Sequence, residues 1–393
     1  MKDIINNYFN NFDFDIRKSK NARFIDHKVT ADVLTIISDC VIEFSEQTNN
    51  IEFTSKDIWN FKYSSENIKE VFGKPNVLDR KAKNEYNKFF GQSLIALAYT
   101  KILIGEKRSN KWYFKINNKQ ILKFIAIRER NSLMFLNIYL TKVLNDSDMY
   151  KIFNDFFDLQ TKESLYLVKN EYKRIIRLNT KTQSELDLNR MFPKVLNPLA
   201  YDRKKLGIVG GYISKEIIGF NDLFYNRKNW RDIKKKRTET RNEYEDRAKS
   251  EVQRSKDAYV KYTINKATNI VRKLHSPTSE INDDLSVGDA TQVHHIFMKS
   301  EYPQIESYIE NLILLTGTQH NTKAHPNNNT RMISKEYQLL CLLAKSDSIE
   351  KYYNTYSKED FLFVLKVGLN TELSNNIKFR EIKEKLVELY NVV

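Results

Sequence analysis

The sequence predicts a mostly helical α+β fold, and three observations carry that prediction. Apolar residues recur at helical spacing over most of the chain, as in Val33, Ile36, Ile37, Cys40, Val41 and Phe44. Strand-like segments are short and come in pairs around turn residues, as in "KILIGEKRSNKWYFKI" and "GIVGGYISK". The chain has 393 residues, too long for one compact core, and its 41% hydrophobic residues can fill two or three domains.

The elements follow in order. Residues 1–48 open polar and turn amphipathic, with Thr30 as the expected N-cap of a helix carrying the Val33–Phe44 stripe. His27, just ahead of that cap, reads as a structural histidine. "FTSKDIWNF" predicts a short helix capped by Thr54 or Ser55, and "DRKAKNEYNKFFGQSLIALAYTKIL" a second one with Tyr86, Phe89, Phe90, Leu94, Leu97 and Ala98 on its apolar face. A hairpin around Gly105–Asn110 follows, with Trp112, Phe114 and Ile116 alternating. Helix, helix and basic hairpin over about 51–117 is the order of a winged-helix module, and equally of a generic α+β packing unit. Lys81, Lys83, Lys88, Lys107, Arg108 and Lys111 lean it toward a DNA-contacting face.

Residues 120–180 read as core helices rich in Phe, Tyr and Leu, and the prolines of "MFPKVLNP" predict a break near 190–200. "GIVGGYISK" lacks the spacing of a phosphate-binding loop and predicts a bend or hairpin. The run "RKNWRDIKKKRTETRNEYEDRAK", with Lys234, Lys235, Lys236 and Arg237 at its centre, leads into a long helix ending before "HSPTSE". It is either a solvated face or a phosphate-tracking surface.

Charge narrows the partner. Lys plus Arg number 65 against 50 Asp plus Glu, a net charge of +15, which favours a polyanion. The two cysteines, Cys40 and Cys341, lie in apolar surroundings and read as buried thiols; two are too few for a four-cysteine zinc ribbon. No charged-then-apolar leader opens the chain, and no apolar run approaches the ~18 residues that span a bilayer. A soluble cytoplasmic protein without a membrane partner is expected.

Four of the six histidines fall between His294 and His325. "LSVGDATQVHHIFMKSEY" predicts two short strands joined by a turn at Gly288, and "NLILL" continues apolar. "TGTQHNTKAHP" predicts a helix with Thr316 as N-cap, Gln319 completing a capping box, and Pro326 as its stop. Successive strand residues face opposite ways, so His294 and His295 are expected to do different jobs. One can meet His320 to hold a divalent cation while its neighbour holds a water for attack, and Asn311 is placed to pin the connecting loop. The competing reading is four histidines in ordinary core or surface roles.

These residues resemble the HNH, or ββα-metal, nuclease family. The matching elements are "VHHI", Asn311 in "ENLILL", and "QHNTKAH", with 16 positions from 295 to 311 and 9 from 311 to 320. The resemblance covers about Ser286–Asn329, and colicin-type members share the paired histidine. The longer stretch "HHIFMKSEYPQIESYIENLILLTGTQHNTKAHP" is similar to HNH domains of bacterial restriction endonucleases, and "RFIDHKVTADVLTIISDCVIEF" with the winged-helix-like stretch resembles their N-terminal parts. The resemblance implies His295 as general base, His294 and His320 as metal ligands, and Asn311 as the residue that orients the base. It implies His325 as a third ligand or a phosphate contact; five residues after His320, an ideal helix would place it about 140° off that face. The zinc-binding cysteines of many relatives are absent here.

That chemistry would hydrolyse phosphodiester bonds with one divalent metal, Mg²⁺ or Mn²⁺ foremost, with Ni²⁺ or Zn²⁺ acceptable to imidazoles. Its products would be 5′-phosphate and 3′-hydroxyl ends. The implied layout is an N-terminal DNA-recognition region at 1–160, a helical basic connecting region at 161–280, and an HNH domain with C-terminal helices at 281–393. The implied function is a site-specific, type II restriction endonuclease acting on double-stranded DNA. A cognate DNA methyltransferase in the host and a homodimer on DNA would accompany it. Alternatives are another HNH nuclease (homing, phage-defence or modification-dependent) and a non-catalytic winged-helix DNA-binding protein.

Overall fold

A computed structural model describes residues 1–79, 82–225, 235–325 and 333–391. The fold is mixed α+β, mostly helical, with small antiparallel sheets. Cα packing divides the chain into two compact units, Met1–Lys256 and Asp257–Val393.

In the first unit, α1 (Lys2–Phe9) and α2 (Ile16–Ser19) lead to α3 (Ala31–Thr48), which begins after Thr30 and buries Val33, Ile36, Ile37, Cys40, Val41 and Phe44. His27 Nδ1 meets Asp26 Oδ1 at 2.9 Å, a structural partnership. β1 (Glu52–Phe53) precedes α4 (Ser55–Asn60), and Thr54 and Asp57 close a reciprocal capping box at its start. α5 (Lys62–Phe72), which the sequence reading did not anticipate, separates α4 from α6 (Ala82–Tyr99). β2 (Leu103–Arg108) and β3 (Lys111–Ile116) then form a hairpin onto which β1 adds, giving the strand order β1-β3-β2. The turn is the two residues Ser109–Asn110, with Ser109 at φ 55°. Gly105 instead lies inside β2, where a Cβ would stand 2.8 Å from Ala98 Cβ, so strand and helix meet too closely there for a side chain.

Four helices follow: α7 (Lys119–Ile127), α8 (Glu129–Asp146), α9 (Tyr150–Leu159) and α10 (Lys162–Asn179). The expected break at 190–200 does not occur. α11 runs from Glu185 to Asp202 with Pro193 and Pro198 inside it. Each interior proline costs roughly 3 kcal/mol. The helix buries Leu188, Met191, Phe192, Val195, Leu196 and Leu199 almost completely, a gross gain on the order of 10 kcal/mol that outweighs both prolines. β4 (Leu206–Val209) and β5 (Tyr212–Ile217) form the expected hairpin, turning through Gly210 and Gly211, both at positive φ. The 35-residue α12 (Arg241–His275) crosses the boundary between the units.

The second unit holds β6 (Ala290–His295), β7 (Leu312–Thr316), a π-helical turn at Gln319–Ala324, and helices α13 (Lys335–Lys351), α14 (Lys358–Leu369) and α15 (Phe379–Asn391). The hairpin expected across Gly288 is absent: Val287 is 82% exposed, and β6 pairs instead with β7, all five of whose residues are buried. Burial of "LILLT" on both faces makes it the better partner. Cys40 and Cys341 are buried free thiols. Among the described residues, no helix is long and apolar enough to cross a membrane.

Candidate metal centre

The antiparallel register sets His294 opposite Ile313 and His295 opposite Leu312, at the last two positions of β6. His294 is buried at 3% exposure. Thr316 ends β7 and starts the next turn of helix through the expected capping box. Its N–H donates to Gln319 Oε1 at 3.0 Å, and the Gln319 N–H donates to Thr316 Oγ1 at 3.2 Å. Gln319 is itself fixed, accepting from Ser279 Oγ (2.7 Å) and donating to the Ile281 carbonyl (3.0 Å) and Asp283 Oδ1 (2.8 Å). That places His320 one residue beyond a rigid buried amide.

His325 is where the structure departs from the ideal-helix expectation. Its N–H donates to the His320 carbonyl at 3.1 Å, an i→i+5 bond, so this turn is wider than an α-helix. The wider turn carries His325 back over His320 instead of away from it. His294, His320 and His325 each offer a ring nitrogen, and these atoms all lie within 4.8 Å of one another. Ring centroids are 5.4 Å apart for His294–His320 and 4.9 Å for each pair with His325.

The donor set fits a divalent transition ion. Metal–nitrogen bonds of ~2.0–2.1 Å hold ligand nitrogens about 3.4 Å apart around a tetrahedral ion, so small ring rotations close the triad. His320 Nδ1 faces Asn321 Oδ1 at 3.0 Å; an amide oxygen only accepts, so Nδ1 carries the hydrogen and Nε2 is left for a ligand role. Burial, and then the nearby His325, His320 and His295 rings, push the His294 pKa down to about 3. That keeps the ring neutral at pH 7, as ligation requires.

His295 stands apart from the triad in its bonding but borders the same pocket of about 270 Å³, together with Met298 and Lys299. Its Nε2 donates to the Glu306 carbonyl at 3.0 Å, which leaves Nδ1 as the acceptor. Burial lowers its pKa; the Glu306 carbonyl opposes that shift and Lys299 adds to it. A neutral imidazole with one nitrogen anchored and the other free can take a proton from water.

Asn311 is fully buried and staples the loop between the two strands. Its Oδ1 accepts from the Phe297 N–H (2.9 Å), and its Nδ2 donates to the carbonyls of Phe297 (3.0 Å) and Ile305 (3.3 Å). Its side chain thereby fixes the loop that follows the His295 end of β6.

Lys83 and Lys88 are exposed on α6, and Lys107 and Lys111 on the β2–β3 hairpin. Arg108 is tied to Glu52 (2.8 and 2.9 Å) and Glu106 (2.6 Å). Lys235, Lys236 and Arg237 are exposed; Lys81, Lys234 and the expected stop Pro326 lie outside the described residues. A network that sequence reading missed sits behind β7. Lys345 and Glu280, both with fully buried side chains, pair at 2.6 Å, and Glu280 also accepts from the Leu314 N–H (2.8 Å) and Ser348 Oγ (2.7 Å). Tyr356 Oη lies 2.9 Å from Lys345 Nζ and 2.8 Å from His275 Nε2. Comparison of the chain with protein-family models, with curated proteins and with solved structures finds no match.

Proposed function

We propose that the chain is a metal-dependent DNA endonuclease of the HNH type, acting as a site-specific restriction enzyme on double-stranded DNA. The observation that carries this reading is one pocket holding three convergent imidazoles and, beside them, a fourth histidine anchored by one nitrogen only. A net charge of +15 supplies the attraction to a polyanion.

His294, His320 and His325 hold the cation, which when bound supplies positive charge to the crowded phosphate transition state and the departing oxygen. His295 Nδ1 takes a proton from the attacking water as its oxygen forms the new bond to phosphorus. The bond from phosphorus to the 3′ oxygen breaks, and that oxygen leaves to be protonated from solvent, giving 5′-phosphate and 3′-hydroxyl ends. Asn311 keeps the His295 end of β6 in register with β7. The all-imidazole donor set favours Zn²⁺ or Ni²⁺ over Mg²⁺ and Mn²⁺, which prefer oxygen ligands.

The order strand, helices, hairpin, with β1 added beside β3, supports a winged-helix reading of about 51–117 within a DNA-recognition region at 1–160. The same order favours the second reading, a DNA-binding protein without catalysis. One histidine site per chain and two strands to cut call for two copies on DNA. The restriction reading also carries a host DNA methyltransferase that protects the recognised site.

The test is to incubate the protein with plasmid DNA and Mg²⁺, Mn²⁺, Ni²⁺ or Zn²⁺, each with and without EDTA. Discrete fragments that EDTA abolishes, with 5′-phosphate termini, are expected. Tight DNA binding with no cleavage under any ion would favour the non-catalytic reading.

A further inference from the structure

Among the described residues, the pocket beside the histidines has one lining residue of fixed charge, Lys299, and no lining carboxylate; the ammonium also acts on the nearby Glu306 carboxyl, opposing the upward shift that burial causes there. Lys299 is exposed, and among the described residues it has no ion pair or hydrogen bond. Most exposed lysines are solvated and idle. This one is presented by a segment held from both sides. Two residues before it, Phe297 is buried at 2% exposure, with its backbone N–H and carbonyl both bound by the Asn311 amide. The Phe297 ring packs on Tyr302 at 5.6 Å between centroids and against Gly368 of α14, where a Cβ would come within 2.4 Å of its Cζ. Immediately after it, the Glu301 and Tyr302 N–H groups donate to the Met298 carbonyl at 3.1 and 2.9 Å, closing a turn with Lys299 and Ser300 at its crest.

The charge balance gives that lysine a task. Three neutral imidazoles add nothing to the charge of a divalent cation. A phosphodiester enters with one negative charge and gains another as water loses its proton and bonds to phosphorus. A fixed ammonium beside the reacting group is stronger in that transition state than in the ground state, which is the condition for raising the rate. We propose that Lys299 holds a non-bridging oxygen of the scissile phosphodiester and neutralises the charge that grows there. Lys299 keeps its proton throughout and forms no covalent bond. This assignment rests on the nuclease reading.

The experiment compares the full-length wild type, Lys299→Ala, Lys299→Arg and a control charge removal on α15, Lys385→Ala, on a plasmid that the wild type cuts. Cleavage is followed at saturating enzyme, with metal stoichiometry and metal-free DNA affinity measured in parallel. Lys299→Ala is expected to cut roughly 10²–10³-fold more slowly at saturating enzyme while binding metal as the wild type does and losing far less in DNA affinity than in rate. Lys299→Arg should recover most of that rate, and Lys385→Ala should lose little. Equal saturating rates for Lys299→Ala and the wild type, or equal effects of Lys299→Ala and Lys385→Ala, would overturn the assignment and leave the nuclease reading standing. A wild type that cuts no DNA with any of the four ions sinks the nuclease reading and this assignment together.

Discussion

At the residue scale, the candidate site separates groups that would bind metal from one that would move a proton. His325 is the sharpest test of the first set, because only the i→i+5 turn brings it to His294 and His320. Replacing it with Ala is expected to weaken Zn²⁺ or Ni²⁺ binding by ~10²-fold or more, since losing even an outer-shell partner costs 10–100-fold; titration calorimetry on the full chain reads this directly. Unchanged affinity would remove His325 from the ligand set. Asn311→Ala strips partners from the Phe297 N–H, the Phe297 carbonyl and the Ile305 carbonyl in a fully buried place. A loss on the order of 2–3 kcal/mol in denaturant stability is expected, and a variant as stable as the wild type would show that water replaces the amide.

At the element scale, the Glu280–Lys345 pair ties the loop before β6, the strand β7 and the helix α13 together. Lys345→Ala leaves a buried carboxylate without its cation and is expected to cost about 3–5 kcal/mol. Lys345→Met with Glu280→Gln should recover much of it, and an unfolding midpoint equally low in the double variant would contradict that. The elements also show what the sequence made legible. The capping box at Thr316 could be read because its partner Gln319 lies three residues on, whereas at the earlier helix the sequence left Thr54 and Ser55 open as caps and the structure selects Thr54. The glycine hairpin at 210–211 could be read because both residues need positive φ. Long-range effects could not. α11 survives two prolines because its apolar face is buried by distant elements. β6 passes over the nearby Gly288 turn to pair with β7. α5 was missed because "KYSSENIKEVF" buries only Ser64, Ile68 and Val71 amid weak helix formers. The spacing of His320 and His325 misled because it was judged on 3.6 residues per turn, whereas the chain makes a π-turn there.

At the scale of the whole molecule, charge and protonation set the working conditions. Burial holds the pKa of His275 down to about 4 and that of His294 down to about 3. Between these values and about 6.5 the unfolded chain binds more protons than the folded one, so stability rises with pH. The contribution is complete above about pH 6.5 and is lost as pH falls, toward 4 for His275 and toward 3 for His294. The melting temperature of the metal-free protein should therefore drop steadily from pH 7 to pH 4.5, and a flat profile would contradict the neutral, buried rings. With a net charge of +15, DNA affinity should fall by roughly 10³-fold or more between 50 and 200 mM salt if six or more phosphates are contacted. The central claim is that His295 is the base of a metal-dependent nuclease, and it is tested most directly by single-turnover DNA cleavage with the wild type and His295→Ala at matched metal occupancy. A loss of roughly 10²–10⁴-fold in rate with metal binding retained is the result predicted. Cleavage by His295→Ala at the wild-type rate would contradict it.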